Sequence, residues 1–511
     1  MVNSKQHGPV ACLLLTLLSL ALLPLTAIQV LRSLLSQPRA SFGINFGPYV
    51  RAPESKSVES STAESPRRVA LVNGGRMQKS LYVVRALAQQ GYRVVLVEER
   101  GWGELCATRF SNAVSRFRLV PSGGGKDYVD ALVNIALEER VTLFVPCSGA
   151  GTTVQDAHAA QLMRKRSGGA IDTLIQDPDL AETLHEKDRF IDLVHELGLE
   201  APQSRIVRSP EEALEYLRQQ DVSKGGVLLK AATVLDDVGR NDMTTYPLRD
   251  ARTSEIDWKG TEARVRRGLA IPISSSTPYA AQEFIGGPGA SEWCSHATVW
   301  NGQLAAFVCC PSNDMLMTYH NATQTDIGQQ ALRWTQEFLL RLRKHPRWQD
   351  ARLTGQFSMD FIHQPALDRL VVIECNPRVH TAVCLLQEQP AFGSALAGEC
   401  STLVTPPPKT ASISWLGHDI VARFAPRLLP HPLVDSANGP SASITVAPQD
   451  QQQAFDLEQI GQDGAWSSAD PLVYLAFYHV QWPALLVRQA LLRRKTFSRI
   501  NISTARIFEC N

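Results

Sequence analysis

Two short runs restrict the fold more than any other feature of this chain, because both alternate apolar and polar side chains with period two: GQFSMDFI (355–362) and VVIECNPR (371–378). Successive side chains of a strand point to opposite faces. Gln356, Ser358 and Asp360 therefore share one face of the first run, opposite Phe357, Met359 and Phe361. The same count groups Val372, Glu374 and Asn376 against Val371, Ile373 and Cys375. Paired across HQPALDR (363–369), the runs predict a hairpin with one apolar face. On its other face Asp360, Glu374 and Asn376 converge as hard oxygen ligands suited to Mg²⁺ bridging nucleotide phosphates. A half-buried hairpin turning polar residues to water has the same pattern. Arg378, further along the polar face, tips the reading toward an anion site, since a guanidinium grips phosphate at two points.

Around this hairpin the chain divides by composition. From Val10 to Leu31 it runs VACLLLTLLSLALLPLTAIQVL without a charge, long enough to cross a bilayer, and residues 1–35 are read as an uncleaved membrane anchor. Arg32, Arg39 and Arg51 beyond it favour a cytoplasmic location for the body. Residues 36–66 are Ser-, Pro- and Glu-rich and read as a disordered tether. Strand-like RVALVNGG, an amphipathic helix, YRVVLVEE and then YVDALVNIALEERVTLFVPCSG predict a small parallel α/β domain over 67–180. An antiparallel α+β domain follows over 181–404, with helices around Asp179–Leu197 and Pro210–Gln219 and strands in GGVLLKAAT, YAAQEFIG, HATVWNG and QLAAFVCC. Residues 405–511 open on the linker TPPPKTAS and contain PLVYLAFYHVQWPALLVRQALLRRK (471–495), a helix that packs on the body or lies at a membrane surface.

Net charge excludes some partners: 51 basic against 50 acidic residues leave no field to draw in nucleic acid. The ten cysteines form no CxxC or Cys/His cluster, which points to buried reduced thiols and a cytosolic body. Lys230 emerges from the apolar run VLL, and Lys187 sits at a helix start in HEKDRF; either can reach a phosphate, and either can be a solvated lysine. QEFIGGPGASEW (282–293) offers exposed backbone to an adenine edge, or is a plain turn. GGGK (123–126) is not a P-loop, because Asp127 stands where Ser or Thr is needed and Val120 where the first glycine belongs. VNGGRM (72–77) lacks the G-x-G-x-x-G spacing of a dinucleotide fingerprint, which leaves an NAD-dependent oxidoreductase poorly supported.

In sequence order, Lys187, Lys230, QEFI, Asp360, Glu374, Asn376 and Arg378 resemble the ATP-grasp superfamily. Within it the chain resembles the mycosporine-glycine synthases. The resemblance lies in the N-terminal apolar segment with LPLTA, VNGGRMQKSL, RFSNAVSRFRLVP, QEFIGG, CSHATVWNGQL, LTGQFSMDFI, IECNPRVHTA and FYHVQWPALLV. It implies an ATP-grasp fold behind a parallel N-terminal domain. It also implies a ligase that uses ATP and Mg²⁺, with Mn²⁺ as substitute, to join an amino acid, glycine, to 4-deoxygadusol through a phosphorylated intermediate. On this resemblance Lys187 and Lys230 contact ATP phosphates, Gln282, Glu283, Phe284 and Ile285 form the adenine-side hinge, and Glu292 contacts the nucleotide. Asp360, Glu374 and Asn376 hold the metal, and Arg378 meets the transferred phosphate. His296, Ser312, Asn313, His380 and Thr381 are the candidate acceptor pocket. One departure from the superfamily is the glycine-poor segment AATVLDDVGRNDMT after Lys230, where Arg240 would have to compensate for a missing phosphate-covering loop. Two alternatives stand beside this reading: a carboxylate–amine ligase for another small substrate, and a membrane-anchored nucleotide-binding protein without turnover.

Overall fold

The computed structural model describes residues 8–36, 68–220, 226–232, 242, 244–250, 252–269, 271–312, 318–415 and 461–509. The expected tether beyond Ser36, Arg240 and Asn313 lie outside these residues.

Helix α1 (Pro9–Ser36) opens the chain and is the one described helix long and apolar enough to cross a membrane. Strands β1 (Val69–Asn73), β2 (Arg93–Glu99), β3 (Val114–Val120), β4 (Leu143–Val145) and β5 (Asp172–Thr173) form a parallel sheet in the order β3-β2-β1-β4-β5. Continuous burial of β1 and near-continuous burial of β2 fit a parallel sheet with both faces covered. Helices α2 (Gln78–Gln89), α3 (Lys126–Glu138) and α4 (Thr153–Arg166) connect these strands. The strand order reverses between β1 and β4, so the loops after Asn73 and Val145 open a crevice at their carboxyl ends. There Asn73 Oδ1 accepts from the Cys147 and Ser148 amides at 2.7 and 3.1 Å, holding the two loops together.

The helical run expected from Asp179 to Leu197 is two helices, α5 (Pro178–His185) and α6 (Lys187–Glu196), broken where Glu186 takes an extended backbone. After β6 (Ser204–Val207) comes α7 (Pro210–Gln219), capped by Ser209, whose hydroxyl accepts from the Glu212 amide at 3.1 Å. Strands β7 (Val227–Ala231), β8 (Thr245–Tyr246) and β9 (Tyr279–Glu283) complete a second, antiparallel sheet in the order β6-β9-β7-β8. A third sheet, also antiparallel, is built from β10 (Ser291–Trp300), β11 (Gln303–Pro311), β12 (Gly355–Gln364) and β13 (Arg369–Asn376), ordered β11-β10-β12-β13. One face of it packs Ala297, Phe307, Phe357, Met359 and Phe361 against α6 and the helix Asp326–Lys344.

The C-terminal stretch is helical from Leu472 to Arg493, with π turns at Phe477–Gln481 and Gln489–Arg493. It packs on the body, and α1 packs along it. Phe477 and Trp482 join one apolar core with Leu81, Leu96, Leu385 and Phe392. Of the nine described cysteines, eight are buried and none forms a disulfide.

Candidate active site

The register of the third sheet brings the polar residues together as the alternation predicts. Asp360 lies directly across from Glu374 on β13 and from Cys294 on β10, and Ser358 lies across from Asn376 and from His296. Side-chain bonds run along the same face: Asn376 Nδ2 donates to Asp360 Oδ2 at 3.1 Å, His296 Nδ1 and Ser358 Oγ are 3.0 Å apart, and Thr298 Oγ1 donates to Gln356 Oε1 at 2.9 Å.

The pattern fails at one point. A bulge between Asp360 and Phe361 leaves Phe361 opposite Val372, and Val372 is buried in the apolar core rather than on the polar face with Glu374. The extra residue flips the alternation behind it. Val371 and Ile373 pack instead with Ile285, Ala290 and Ile362, an apolar patch beside the expected hinge. Within that hinge Phe284 and Ile285 are buried, Phe284 N donates to Gly226 O at 2.9 Å, and Glu283 Oε2 accepts from the Gln203 amide at 3.1 Å.

Cations close the site. Lys187 Nζ stands 2.5 Å from Glu374 Oε2, placed there by the break before α6. Arg378 Nη2 donates to Asn376 Oδ1 at 2.5 Å, and its Nη1 is 3.4 Å from His185 Nδ1 at the end of α5. Burial and the neighbouring carboxylates of Glu374 and Glu292 hold the Asp360 carboxyl well above its ordinary range, against the pull of Lys187 and Arg378. Glu292 Oε1 also accepts from Ser312 Oγ at 3.0 Å. Among the described residues no three His, Cys, Asp or Glu side chains stand ready as a metal cluster. The donor set nevertheless fits Mg²⁺: two carboxylates and an amide are hard oxygen ligands, and a magnesium site that takes phosphates and waters needs only one or two carboxylates from the protein. The crowding that raises Asp360 is what such a cation would relieve.

Lys230 and Gln282 lie on the second sheet. Val227, Leu229 and Ala231 face its core, so Lys230 and Leu228 face away, and Leu228 pairs with Gln282. His380 caps the turn Thr381–Leu386, its Nδ1 accepting from the Ala382 amide at 3.1 Å, and its ring meets Tyr319 edge-on at 6.2 Å. Thr381 is buried in the first residue of that turn. His296 is buried, and burial with His380 and Lys79 nearby pushes its pKa down to about 3, so the ring is neutral. Ser358 Oγ donates to Arg378 O at 2.8 Å, His296 Nδ1 lies 3.0 Å from Ser358 Oγ and 3.4 Å from the His380 backbone amide, and His296 Nε2 is buried with no hydrogen-bond partner.

Two residues of the neighbourhood escape sequence reasoning. His185 carries no motif. Lys79 lies in α2, where its Nζ donates to Ser148 O at 3.0 Å and to Val379 O at 2.8 Å, tying the crevice of the parallel sheet to the backbone beside Arg378. Burial and Arg378 lower its pKa to about 7.

No family model matches the sequence. The chain is 22% identical over 324 residues to the C-terminal section of the carbamoyl phosphate synthase large chain of Methanopyrus kandleri, covering 62% of this chain and 52% of that protein. It is 22% identical over 320 residues to the carbamoyl phosphate synthase large chain of Beutenbergia cavernae, covering 60% of this chain and 26% of the other. The chain thus spans about half of the first relative's length and a quarter of the second's. Among solved structures, N5-carboxyaminoimidazole synthetase from Staphylococcus aureus superposes with a TM-score of 0.50 at 13% identity, over 72% of this chain and 88% of that one. With the parallel domain and the two antiparallel sheets, this likeness shows the ATP-grasp fold.

Proposed function

We propose that the chain is an ATP-dependent ligase of the ATP-grasp type that joins an amine to a small acceptor through a phosphorylated intermediate. The observation that carries this reading is the polar face of the third sheet: Asp360, Glu374 and Asn376 converge there, and Lys187 and Arg378 close over them. The acceptor oxygen attacks the terminal phosphorus of ATP and ADP leaves. The amine then adds to the carbon bearing that oxygen, and the oxygen departs with inorganic phosphate. Bound Mg²⁺, held by Asp360, Glu374 and Asn376, would neutralise charge on the phosphate oxygens. Lys187 and Lys230 bind the phosphates as point charges, and Arg378 grips the group in transfer. His296, kept neutral by burial, offers Nε2 as a hydrogen-bonding group to the acceptor molecule or amine; near neutral pH it orients rather than takes a proton. Ser312, Asn313, His380 and Thr381 complete the proposed acceptor pocket.

The finer reading is that 4-deoxygadusol is the acceptor and glycine the amine; it draws on the sequence resemblance to mycosporine-glycine synthases. The likeness to carbamoyl phosphate synthase chains favours a second reading, a ligase for another small acceptor such as a carboxylate. The two separate when ADP release and the absorption spectrum are followed with ATP, Mg²⁺ and 4-deoxygadusol as amino acids are added singly. ADP release with a red-shifted chromophore on adding glycine supports the first. ADP release that no amino acid couples to a new chromophore sinks it in favour of the second.

The expected location is a membrane, with α1 as a single-pass anchor and the body on the cytoplasmic side. The length and apolarity of α1 support it.

A further inference from the structure

Helix α1 does not stand clear of the body. Ser19 Oγ donates to Tyr478 O at 2.7 Å and lies 3.1 Å from His479 Nδ1, and Ser33 Oγ donates to Ser468 O at 2.9 Å. These contacts fix an antiparallel arrangement in which the start of α1 lies beside the basic end of the C-terminal helix. Ala11, Cys12, Leu15, Val30 and Ser33 are buried on the docked side. Val10, Leu14, Leu17, Leu25, Ile28, Leu31 and Leu35 recur at helical spacing on the opposite side and are bare, with Leu17 61%, Leu25 66% and Leu35 67% exposed. Next to the start of α1, Leu491 and Leu492 are exposed too, the latter at 72%.

The surroundings of this stripe are basic. Arg32 is exposed at one end. At the other, residues 488–509 carry six arginines and lysines and a single acid, Glu509, which pairs with Arg493 at 2.7 Å and Lys495 at 3.6 Å. We infer that α1 and the Leu491–Lys495 corner form one in-plane docking surface for an anionic lipid bilayer, rather than α1 crossing the bilayer. The inference keeps from the proposed location only that α1 meets a membrane, replaces the single-pass anchor with in-plane docking, and is independent of the ligase reading.

The layer beneath α1 is what decides between lying and crossing. A helix that spans must be apolar or protein-covered through about 30 Å of hydrocarbon. Here the C-terminal helix backing α1 is itself tied to the parallel domain, where Gln481 accepts from the Ala107 amide at 2.7 Å and donates to Arg76 O at 3.0 Å. Arg76 pairs with Glu98 at 3.2 Å and Glu99 at 3.6 Å. Crossing with these contacts intact would carry that charged cluster toward hydrocarbon. Lying in the plane sinks only the bare stripe, about 5–10 Å deep, and leaves the basic corner at the headgroups.

The test uses the full-length chain purified in mild detergent and mixed without nucleotide with vesicles of phosphatidylcholine, alone or with phosphatidylserine. The expected result is flotation with the anionic vesicles that weakens with salt. Leu17→Glu with Leu25→Glu should abolish it, and Arg493→Glu with Arg494→Glu should weaken it about fivefold or more per cation lost on anionic vesicles alone. An unchanged thermal midpoint shows that each variant folds. Gly8→Cys and Ser36→Cys on vesicle-bound protein should both react with an impermeant maleimide. Protection of one end shows a crossing helix and overturns the inference. So does a dimer held by the Leu17 and Leu25 stripe that ignores vesicles, or binding indifferent to lipid charge.

Discussion

At the scale of single residues, the candidate site crowds carboxylates beside two cations, Lys187 and Arg378. Glu374 is held by Lys187 and faces Asp360, whose carboxyl is crowded by Glu374 and Glu292. Glu374→Gln keeps shape and removes a charge, so the thermal midpoint should hold while ATP turnover falls by about 10²-fold or more, the scale of losing one preorganised electrostatic contact. Unchanged ADP release in that variant would remove Glu374 from the site. Lys79 gives a pH signature. The unfolded chain protonates this lysine near pH 10.4, and the folded chain only near about 7. Between those values the unfolded state binds more protons, so stability rises with pH across that window. Lys79→Met should flatten that rise, as read from denaturant midpoints at about pH 7.5 and pH 9.5. The carboxylates were legible in the sequence; the place of Lys79 was not. A lysine beside a glutamine at a helix start reads as solvated, and its partner Val379 lies 300 positions away.

At the scale of elements, what could be read was whatever is periodic. The hairpin that sets Asp360 against Glu374 followed from alternation alone, because burying Phe357, Met359 and Phe361 leaves the other side chains a single face to occupy. Alternation says nothing of a bulge, so Val372 was grouped with Glu374 where the structure buries it. Apolar spacing alone carries from Asp179 to Leu197 across one extended residue, but the helix start read at Lys187 is where the structure has it, with Glu186 extended before α6. The loop after β1 shows the opposite case, a glycine whose need is geometric. Gly74 has φ of 75°, and a Cβ there would stand 2.6 Å from Cys147 O. Gly74→Ala should cost about 1 kcal/mol or more from backbone strain alone, before the clash is counted. A denaturation midpoint equal to that of the parent chain would contradict this close packing of the two crevice loops.

At the scale of the whole molecule, the C-terminal stretch is part of the body. Asp470 accepts from Arg85 Nε at 3.0 Å, Ser111 Oγ at 2.6 Å and the Asn112 amide at 3.0 Å, all in the parallel domain, with Arg85 and Ser111 buried. Asp470→Ala strands Arg85 as a buried charge and should cost about 3–5 kcal/mol, seen as a lower midpoint by chemical denaturation. Loss of less than about 1 kcal/mol, the range of exposed pairs, would mean that water reaches Arg85. Composition showed an apolar, aromatic helix here and favoured packing, but not the surface it packs on. Such a surface is set by residues scattered through the chain, as α1, Leu81, Phe392 and Phe477 in one core illustrate.

The measurement that bears most directly on the account follows a single oxygen. With the acceptor labelled by ¹⁸O at the position the amine replaces, each turnover should release inorganic phosphate carrying that ¹⁸O, because the oxygen is phosphorylated before it leaves. Product formed with unlabelled phosphate would show that ATP never activates the acceptor oxygen, and the ligase mechanism drawn from Asp360, Glu374, Asn376 and Arg378 would be wrong.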